Sequence, residues 1–228
     1  MSPERFARIN QMLDNRQPDL TLCLDTVHKS NNIAAVIRSA DAVGIHEVHA
    51  VWAELEMRVS GNTASGSQQW VKTQVHHTMD HAVEEFRRQD MQILATTFSP
   101  TAVDFREIDY TRPTAIILGN ERDGVSAEGI AAADQHIIIP MIGMVQSLNV
   151  SVAGALIVYE AQRQREAAGM YGTRKLDDAY CQIKLFEQGH PIYAKACRRK
   201  KLAYPAIDET GQIVADEQWW QKMREPSA

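Results

Sequence analysis

Short apolar segments alternate with helical segments from Leu20 onward, and this alternation limits the fold more than any other feature. The strand-like segments are rich in Val, Ile, Leu and Thr: Leu20–Leu24, Glu47–Trp52, Val71–His76, Gln92–Phe98, Thr114–Leu118 and His136–Pro140. Helical spacing of apolar residues predicts helices at Asn32–Val43, Asp80–Gln89 and Asn149–Ala168. Because strands buried on both faces read as continuous apolar runs, the pattern predicts an α/β fold with a mostly parallel sheet flanked by helices.

The two ends of the chain depart from this pattern. An amphipathic helix is predicted over Glu4–Arg16, and Pro18 lies just beyond its end. After about Gly169 the helical patterns weaken, and the basic run Arg198–Lys201 follows. Residues 161–201 hold ten Lys or Arg against four Asp or Glu. The sequence therefore predicts three ranges: an N-terminal helical extension at 1–19, a central domain at 20–168, and a basic C-terminal helical extension at 169–228.

Charge and cysteine content exclude several classes of protein. The 228 residues carry a net charge of −5, so the whole chain is not a basic nucleic-acid-binding module, and any such contact needs local patches. Cys23, Cys181 and Cys197 fit neither a disulfide framework nor a zinc signature. No run approaches the roughly 20 apolar residues of a membrane span, and the N-terminus has no apolar signal region. We expect a cytoplasmic protein with no metal and no membrane contact.

Several common motifs of cofactor-binding proteins and hydrolases are absent from the sequence. It contains no GxGxxG, no Walker A motif, no GxSxG and no HExxH. These absences exclude a dinucleotide-binding Rossmann domain and the commonest hydrolase classes.

Asn32 and Arg38 lie six residues apart in one predicted helix. This separation is close to two helical turns, so both side chains lie roughly on one side. The simplest interpretation is a residue near the helix N-cap and a solvated arginine on an amphipathic helix. A pair with a function is the alternative.

Polar residues also follow two predicted strands. Thr114–Leu118 leads into Gly119-Asn-Glu-Arg-Asp-Gly124, with Ser126 placed to cap a following helix. His136–Pro140 leads into a loop with two Met and a Gly, and then into Ser147-Leu-Asn-Val-Ser151. Ligands of α/β sheets bind beyond the carboxyl ends of strands, where glycine admits them close to the backbone. Helix capping explains part of the second cluster, but three polar residues in five exceed what a cap needs.

Together the three segments resemble motifs 1, 2 and 3 of the SpoU (TrmH-type) branch of the SPOUT methyltransferases. Asn32…Arg38 is similar to the first motif, Leu118-Gly-Asn-Glu121…Gly124 to the second, and Ile139-Pro-Met…Ser147-Leu-Asn149-Val-Ser151 to the third. The flanking segments resemble members that act on guanosine 18 of tRNA, so the resemblance covers nearly the whole chain. Arg122 departs from the pattern, since many relatives have glycine there, but this removes no catalytic group.

The resemblance implies a fold, a cofactor and an activity. The fold would hold a deep C-terminal trefoil knot, and the protein would be a homodimer whose active sites each use both subunits. The activity would be methylation of the ribose 2′-OH of guanosine 18 in the tRNA D-loop, with S-adenosylmethionine as donor and no metal. Residues carried over for cofactor binding are Thr96, Leu118, Gly119, Ile139, Met141 and Leu148. Those carried over for catalysis are Arg38, Asn32, Glu121, Ser147 and Asn149.

Contact with tRNA is expected from basic residues at both ends of the chain, and no DNA partner is expected. The candidates are Arg5, Arg8, Arg16, Arg163, Arg165, Arg174, Arg198, Arg199, Lys200 and Lys201. Such residues bind phosphates and make binding salt-dependent. Relatives that act on ribosomal RNA often carry a separate N-terminal RNA-binding domain, whereas about 19 residues precede the first predicted strand here, which favours tRNA.

The family assigns the role of base to the arginine, here Arg38, and this assignment is chemically awkward. A guanidinium is normally always charged and cannot accept a proton. Either a phosphate and the pocket hold Arg38 transiently neutral, or it stays charged and stabilises the developing alkoxide while a phosphate or water takes the proton.

Three other functions remain open from the sequence. One is the same chemistry on ribosomal RNA or at another tRNA position. The second is a non-catalytic RNA-binding protein, which the presence of Arg38, Glu121 and Asn149 disfavours. The third is a small-molecule methyltransferase, which the basic flanks disfavour.

Overall fold

The chain divides into two compact units. The computed structural model describes residues 1–52 and 69–225. The larger unit is Gln17–Tyr171, and the smaller unit combines Met1–Arg16 with the segment from Gly172 onward. The two terminal segments, which the sequence predicts as separate extensions, thus group into one unit.

The larger unit follows the predicted alternation, after helix α1 (Pro3–Asp14) of the smaller unit. Its strands are β1 (Leu20–Asp25), β2 (Glu47–Val51), β3 (Lys72–His76), β4 (Gln92–Thr96), β5 (Val103–Asp104), β6 (Thr114–Gly119) and β7 (Gln135–Ile138). Its helices are α2 (Ser30–Ala42), α3 (Met79–Arg88), α4 (Ala127–Ala132) and α5 (Val150–Ala167). The strands form one sheet in the order β3-β2-β1-β6-β4-β7-β5, and every neighbouring pair is parallel. The predicted α/β class with a mostly parallel sheet is confirmed.

Side chains alternate between two apolar layers, one on each face of the sheet. Leu20, Leu22 and Leu24 of β1 pack into a cluster with residues of α2 and α5. Cys23, between them, packs into a second cluster with residues of α3. Successive strand residues point to opposite faces. The central strands are therefore buried on both sides, which explains why they read as continuous apolar runs.

Some element boundaries differ from those predicted. Helix α2 starts at Ser30 with Lys29 at its N-cap, so Asn32 is the third helical residue rather than a cap. Strand β7 ends at Ile138, two residues before Pro140, which has no N–H to donate to a neighbouring strand. These shifts leave the order of the predicted elements unchanged.

The smaller unit is helical with one short hairpin. After α1 it contains α6 (Asp178–Gly189), α7 (Pro191–Lys200), β8 (Ala206–Ile207), β9 (Ile213–Val214) and α8 (Glu217–Arg224). Strands β8 and β9 pair antiparallel. Among the helices of residues 1–52 and 69–225, none has both the length and the apolar character needed to cross a membrane.

A buried arginine fastens helix α5 to the amino-terminal edge of the sheet. Arg165 is fully buried, and its guanidinium donates five hydrogen bonds. The acceptors are the carbonyl oxygens of Tyr110 (2.8 Å), Asp19 (3.1 Å) and Arg112 (3.1 Å), the Asp19 carboxylate (2.6 Å) and the Gln17 side chain (3.0 Å). Asp19 and Arg112 lie just before β1 and β6, so one side chain joins α5 to the start of both central strands.

Replacing this arginine should cost much of the stability of the larger unit. Arg165→Met keeps an apolar side chain but leaves the Asp19 carboxylate and several carbonyls without their donor. We expect the free energy of unfolding in urea to fall by about 3–5 kcal/mol, the usual cost of breaking a buried ion pair. Arg163→Met is the matched control, because Arg163 lies on the same helix with its side chain 67% exposed. It should change stability by less than about 0.5 kcal/mol. Equal unfolding midpoints for the two variants would show that the Arg165 contacts are not a main source of stability.

Candidate active site

A cavity lies at the carboxyl-terminal edge of the central strands. Its volume is about 770 Å³, within the range of small-molecule sites. Its lining includes all six residues carried over for cofactor binding: Thr96, Leu118, Gly119, Ile139, Met141 and Leu148. Glu121 and Ser147 also line it. The parallel sheet thus brings the ends of β4, β6 and β7 together, although these residues are spread over more than fifty positions.

The loop after β6 has a shape that requires glycine. A Cβ on Gly119 would lie 2.0 Å from the carbonyl carbon of Gly124, which is far inside van der Waals contact. The backbone N–H groups of Asn120 and Gly124 each donate to the other residue's carbonyl at 3.1 Å and close the loop. Gly124 adopts a φ of +74°, a conformation that L side chains rarely take. Arg122 fits this loop, with its N–H donating to the Asn120 side chain at 2.9 Å.

Three polar side chains from the three motifs form one hydrogen-bonded chain. The Asn32 side-chain amide donates to Glu121 Oε1, and the Asn149 amide donates to Asn32 Oδ1 at 3.2 Å. Lys29 Nζ lies 3.7 Å from the same Glu121 oxygen. Asn149 also caps α5, since its Oδ1 accepts from the Ser151 N–H at 2.9 Å. Asn149 therefore serves both as a cap and as a member of the polar chain, and the two interpretations from sequence are compatible.

Sequence reasoning missed the side chains that hold this loop to β1. Asp25 is 1% exposed, and its carboxylate accepts from the Ser126 backbone N–H at 2.7 Å. The Asn120 amide donates to the Thr26 hydroxyl at 3.0 Å, and Thr26 has a φ of +52°. The one signal in the sequence was an aspartate at the end of an apolar strand, Leu20-Thr-Leu-Cys-Leu-Asp25. Ser126 caps α4 as expected.

Arg38 lies apart from this polar chain. It is exposed on α2 and is not among the described residues that line the cavity. Asn32, six residues earlier, is buried. The prediction that both residues lie on one side of the helix is therefore wrong. Six residues span only about 1.7 helical turns, so Asn32 points into the protein and Arg38 points to its surface.

Four of the basic residues expected to bind RNA make contacts within the chain, and two of the four are buried. Arg16 and Arg165 are buried, which contradicts the expectation that their guanidinium groups face RNA. Arg174 pairs with Asp14 at 2.8 Å and donates to the Asn10 side chain at 2.7 Å. Lys200 donates to the carbonyl oxygens of Lys222 (2.7 Å), Met223 (2.8 Å) and Glu225. The Lys200 ammonium group therefore caps the end of α8.

The other basic candidates fall into two groups. Arg5, Arg163 and Arg198 are each paired with a half-buried residue: Arg5 with the Gln188 carbonyl, Arg163 with Glu160 and Arg198 with Glu187. Arg8, Arg199 and Lys201 are exposed, and their charged groups have no hydrogen bond or ion pair within the described part of the chain. These three remain the best placed for contact with phosphates.

No cluster of three or more His, Cys, Asp or Glu side chains suited to a metal occurs in residues 1–52 and 69–225. His76, one of the histidines in the 76–81 segment, is hydrogen-bonded to His49 at 2.8 Å between ring nitrogens. Burial and the neighbouring His76 lower the pKa of His49 to about 3, so His49 is neutral near pH 7. That the reaction needs no metal stays a prediction.

An apolar stripe is exposed on α5. Val152, Leu156 and Tyr159 follow one another at helical spacing, and each side chain is 42–52% exposed. Ile142 and Met144, in the loop before α5, are almost fully exposed. Such a surface is unusual for a monomer in solution.

The fold and the cavity together define a parallel α/β protein that binds a small ligand at the carboxyl ends of its strands. Two family models match the sequence. The SpoU rRNA Methylase family matches residues 19–159, and the SpoU, rRNA methylase, C-terminal family matches residues 163–216. The chain belongs to the SpoU methylase family.

Individual relatives agree with this assignment. The tRNA (guanosine(18)-2'-O)-methyltransferase of Escherichia coli (strain K12) is 57% identical over 98% of this chain and 99% of its own length. The crystal structure of the Aquifex aeolicus TrmH/SpoU tRNA modifying enzyme matches with a TM-score of 0.76 and 41% identity, covering 81% of this chain and 94% of its own. The SpoU methyltransferase AviRb from Streptomyces viridochromogenes, in complex with the cofactor AdoMet, matches with a TM-score of 0.60 and 27% identity, covering 68% of this chain and 62% of its own.

The two roles of Asn149 can be separated by substitution. Asn149→Asp keeps the oxygen that caps α5 but loses the amide that donates to Asn32 and brings a negative charge toward Glu121. We expect stability within about 0.5 kcal/mol of wild type and methyl transfer reduced at least about tenfold. Asn149→Ala should lose activity and also about 1 kcal/mol of stability. Urea unfolding measures stability, and the rate of methyl transfer measures activity. Full activity of Asn149→Asp would show that the hydrogen bond from Asn149 to Asn32 is not needed for catalysis.

Proposed function

We propose that this protein transfers a methyl group from S-adenosylmethionine to the ribose 2′-OH of guanosine 18 in tRNA. Residues of the second and third motifs line one cavity, and Asn32 of the first motif donates a hydrogen bond to Glu121 in its lining. This arrangement carries the proposal, in a chain 57% identical to an enzyme named for this reaction. That match covers 98% of the chain and therefore includes most of the smaller unit as well as the larger one.

The residues around the cavity fit S-adenosylmethionine. Leu118, Ile139 and Leu148 offer apolar surface, while Thr96 and the open backbone at Gly119 offer polar contacts. A side chain at position 119 would collide with the loop backbone, so only glycine allows the loop to pack this closely against the end of β6. When bound, the cofactor supplies an activated methyl group on a sulfonium, and the remaining requirements are positioning of the ribose and a place for its proton.

The protein side chains would supply this positioning. The chain Asn149–Asn32–Glu121 fixes the polar wall of the cavity, because each member is held by the next. We propose that Arg38 stays charged and stabilises the negative charge that develops on the 2′-oxygen, with a phosphate or water as proton acceptor.

In a homodimer, Arg38 of one subunit would lie at the cavity of the other subunit. Arg38 is exposed and outside the lining of its own cavity, as expected if it serves the site of a second copy. The exposed stripe Val152, Leu156 and Tyr159 and the apolar loop before α5 give a surface that a second copy would cover. The trefoil knot belongs to the same proposal and rests on the family resemblance.

Contact with tRNA is assigned mainly to the smaller unit. That unit has thirteen Lys or Arg against ten Asp or Glu, a net charge of +3, whereas the larger unit has eleven against nineteen, a net charge of −8. Arg8, Arg199 and Lys201 are the first candidates, followed by Arg198, and by Arg163 in the larger unit. A cytoplasmic location and the lack of DNA, membrane and metal partners stay predictions.

Methyl transfer to defined RNAs tests the function directly. Label from S-adenosylmethionine should reach an unmodified tRNA transcript, map to the 2′-oxygen of guanosine 18, and disappear when position 18 is adenosine. Label on ribosomal RNA but not on tRNA would support ribose methylation as the reaction and show that tRNA is not the substrate. Transfer to no RNA would support the non-catalytic RNA-binding alternative.

Mixed dimers test whether Arg38 serves the second copy. Arg38→Ala and Leu148→Trp chains, each inactive as homodimers, are co-expressed with different tags, and the mixed dimer is purified. If Arg38 acts across the dimer, one intact site remains and about half the wild-type rate returns. If it acts within its own chain, the mixed dimer is inactive.

Pairing a wild-type chain with the double variant Arg38→Ala/Leu148→Trp reverses these outcomes. Action across the dimer then leaves no intact site, whereas action within one chain leaves about half the rate. Leu148→Trp should also abolish the rise in melting temperature on addition of S-adenosylmethionine, which confirms that the cavity is blocked.

A further inference from the structure

Three aromatic rings of the smaller unit meet between helices α7 and α8. Trp219 and Trp220 are perpendicular to each other with centroids 4.9 Å apart. Tyr193 of α7 is perpendicular to Trp220 at 5.8 Å and tilted to Trp219 at 6.4 Å. None of the three motifs described above includes these rings, and they lie outside the cavity.

The three rings are only partly buried, in contrast to residues of a hydrophobic core. Helix α8 has no buried residue, and Tyr193 is 37% exposed. Trp219 is fixed, since its Nε1 donates to the Ala203 carbonyl at 3.0 Å. Trp220 Nε1 has no hydrogen-bond partner within the described residues. Trp219 therefore anchors the cluster, while Trp220 keeps an N–H and part of its ring for a ligand.

Basic side chains gather at one end of the same helix pair. Because Lys200, at the end of α7, donates to the last carbonyls of α8, the two helices end side by side. Their last turns carry Arg199 and Lys222, and Lys201 follows α7. These three are exposed and have no hydrogen bond from their charged groups to other described residues. An aromatic surface and a cluster of cations therefore occupy one pair of helices in the unit with net positive charge.

This combination fits a particular ligand chemistry. Unpaired nucleotides bind proteins by stacking their bases on aromatic rings while basic groups hold the phosphates. We propose that Trp220 and Tyr193, together with Arg199, Lys201 and Lys222, form a surface that binds an unpaired nucleotide segment of RNA. The proposal deepens the proposed function, because it assigns a part of the substrate contact to a surface outside the three motifs and the cavity.

Substitutions at Trp220 separate stacking from packing. Trp220→Leu keeps an apolar side chain without a stacking face, and Trp220→Phe keeps a ring. We expect Trp220→Leu to weaken binding of tRNA about fivefold or more, and Trp220→Phe to stay within about twofold of wild type. Ile192→Ala is the matched control, because Ile192 is an exposed apolar side chain (83%) of the same unit. It should bind tRNA as wild type does.

A short single strand gives a second, direct readout. Octaadenylate should quench tryptophan fluorescence of the wild type and do so less in Trp220→Phe, while a duplex RNA of equal length should not. Arg199→Ala/Lys201→Ala/Lys222→Ala should lower the dependence of binding on salt concentration. Circular dichroism checks that each variant is folded.

The outcomes separate this proposal from the proposed function. Equal affinities of folded Trp220→Leu and wild type for both tRNA and octaadenylate would overturn the surface. A Trp220 effect confined to anionic lipid vesicles, or losses in Ile192→Ala equal to those in Trp220→Leu, would overturn it as well. If the wild type methylates guanosine 18, the proposed function is supported regardless of the results for the Trp220 variants. If it methylates no RNA but its binding of octaadenylate depends on Trp220, the function fails and the surface stands.

Discussion

The guanidinium of Arg165 fixes the long helix on which much of the site depends. Five hydrogen bonds join it to segments that lead into β1 and β6, so the carboxyl-terminal part of α5 has one position relative to the centre of the sheet. A helix of this length is stiff over roughly 27 Å, and its other end is capped by Asn149. Fixing one end therefore places Asn149 at the polar chain. A residue that the sequence suggests is a ligand for phosphate instead holds the framework of the catalytic unit.

The site is built by topology rather than by any local sequence. Its polar members come from the start of α2, the loop after β6 and the start of α5, and they meet because β1 and β6 are adjacent parallel strands. Asp25 and Thr26 then hold the β6 loop to the end of β1. Burial of the Asp25 carboxylate is tolerated because a backbone N–H satisfies it. The loop that lines the cavity is thus held in place by Asp25 and Thr26, which are not themselves among the lining residues.

The sequence was sufficient for what depends on periodicity and motifs. The alternating sheet and its helices followed from apolar spacing, and the resemblance named six of the residues that line the cavity. The sequence was insufficient where a charged side chain is paired with a residue from a distant part of the chain. Arg165 and Arg163 look alike two residues apart, yet one is fully buried and the other is exposed. Lys200 and Arg199 are adjacent in one basic run, yet only Lys200 caps α8. Residue type gives the charge, but only the packing shows whether another part of the chain already uses it.

The division of charge explains how an acidic chain can act on RNA. Glu121 lies at the polar wall of a unit whose net charge is −8, and such a unit attracts polyanions poorly on its own. A smaller unit of net charge +3 has the opposite sign, and cations without a partner are the groups through which a protein attracts phosphates. Phosphate contacts alone do not choose a nucleotide, because every RNA presents the same backbone. Selection of one guanosine therefore has to come from the cavity, from shape, or from contacts with unpaired bases, and rings such as Trp220 are the kind of group that can make them.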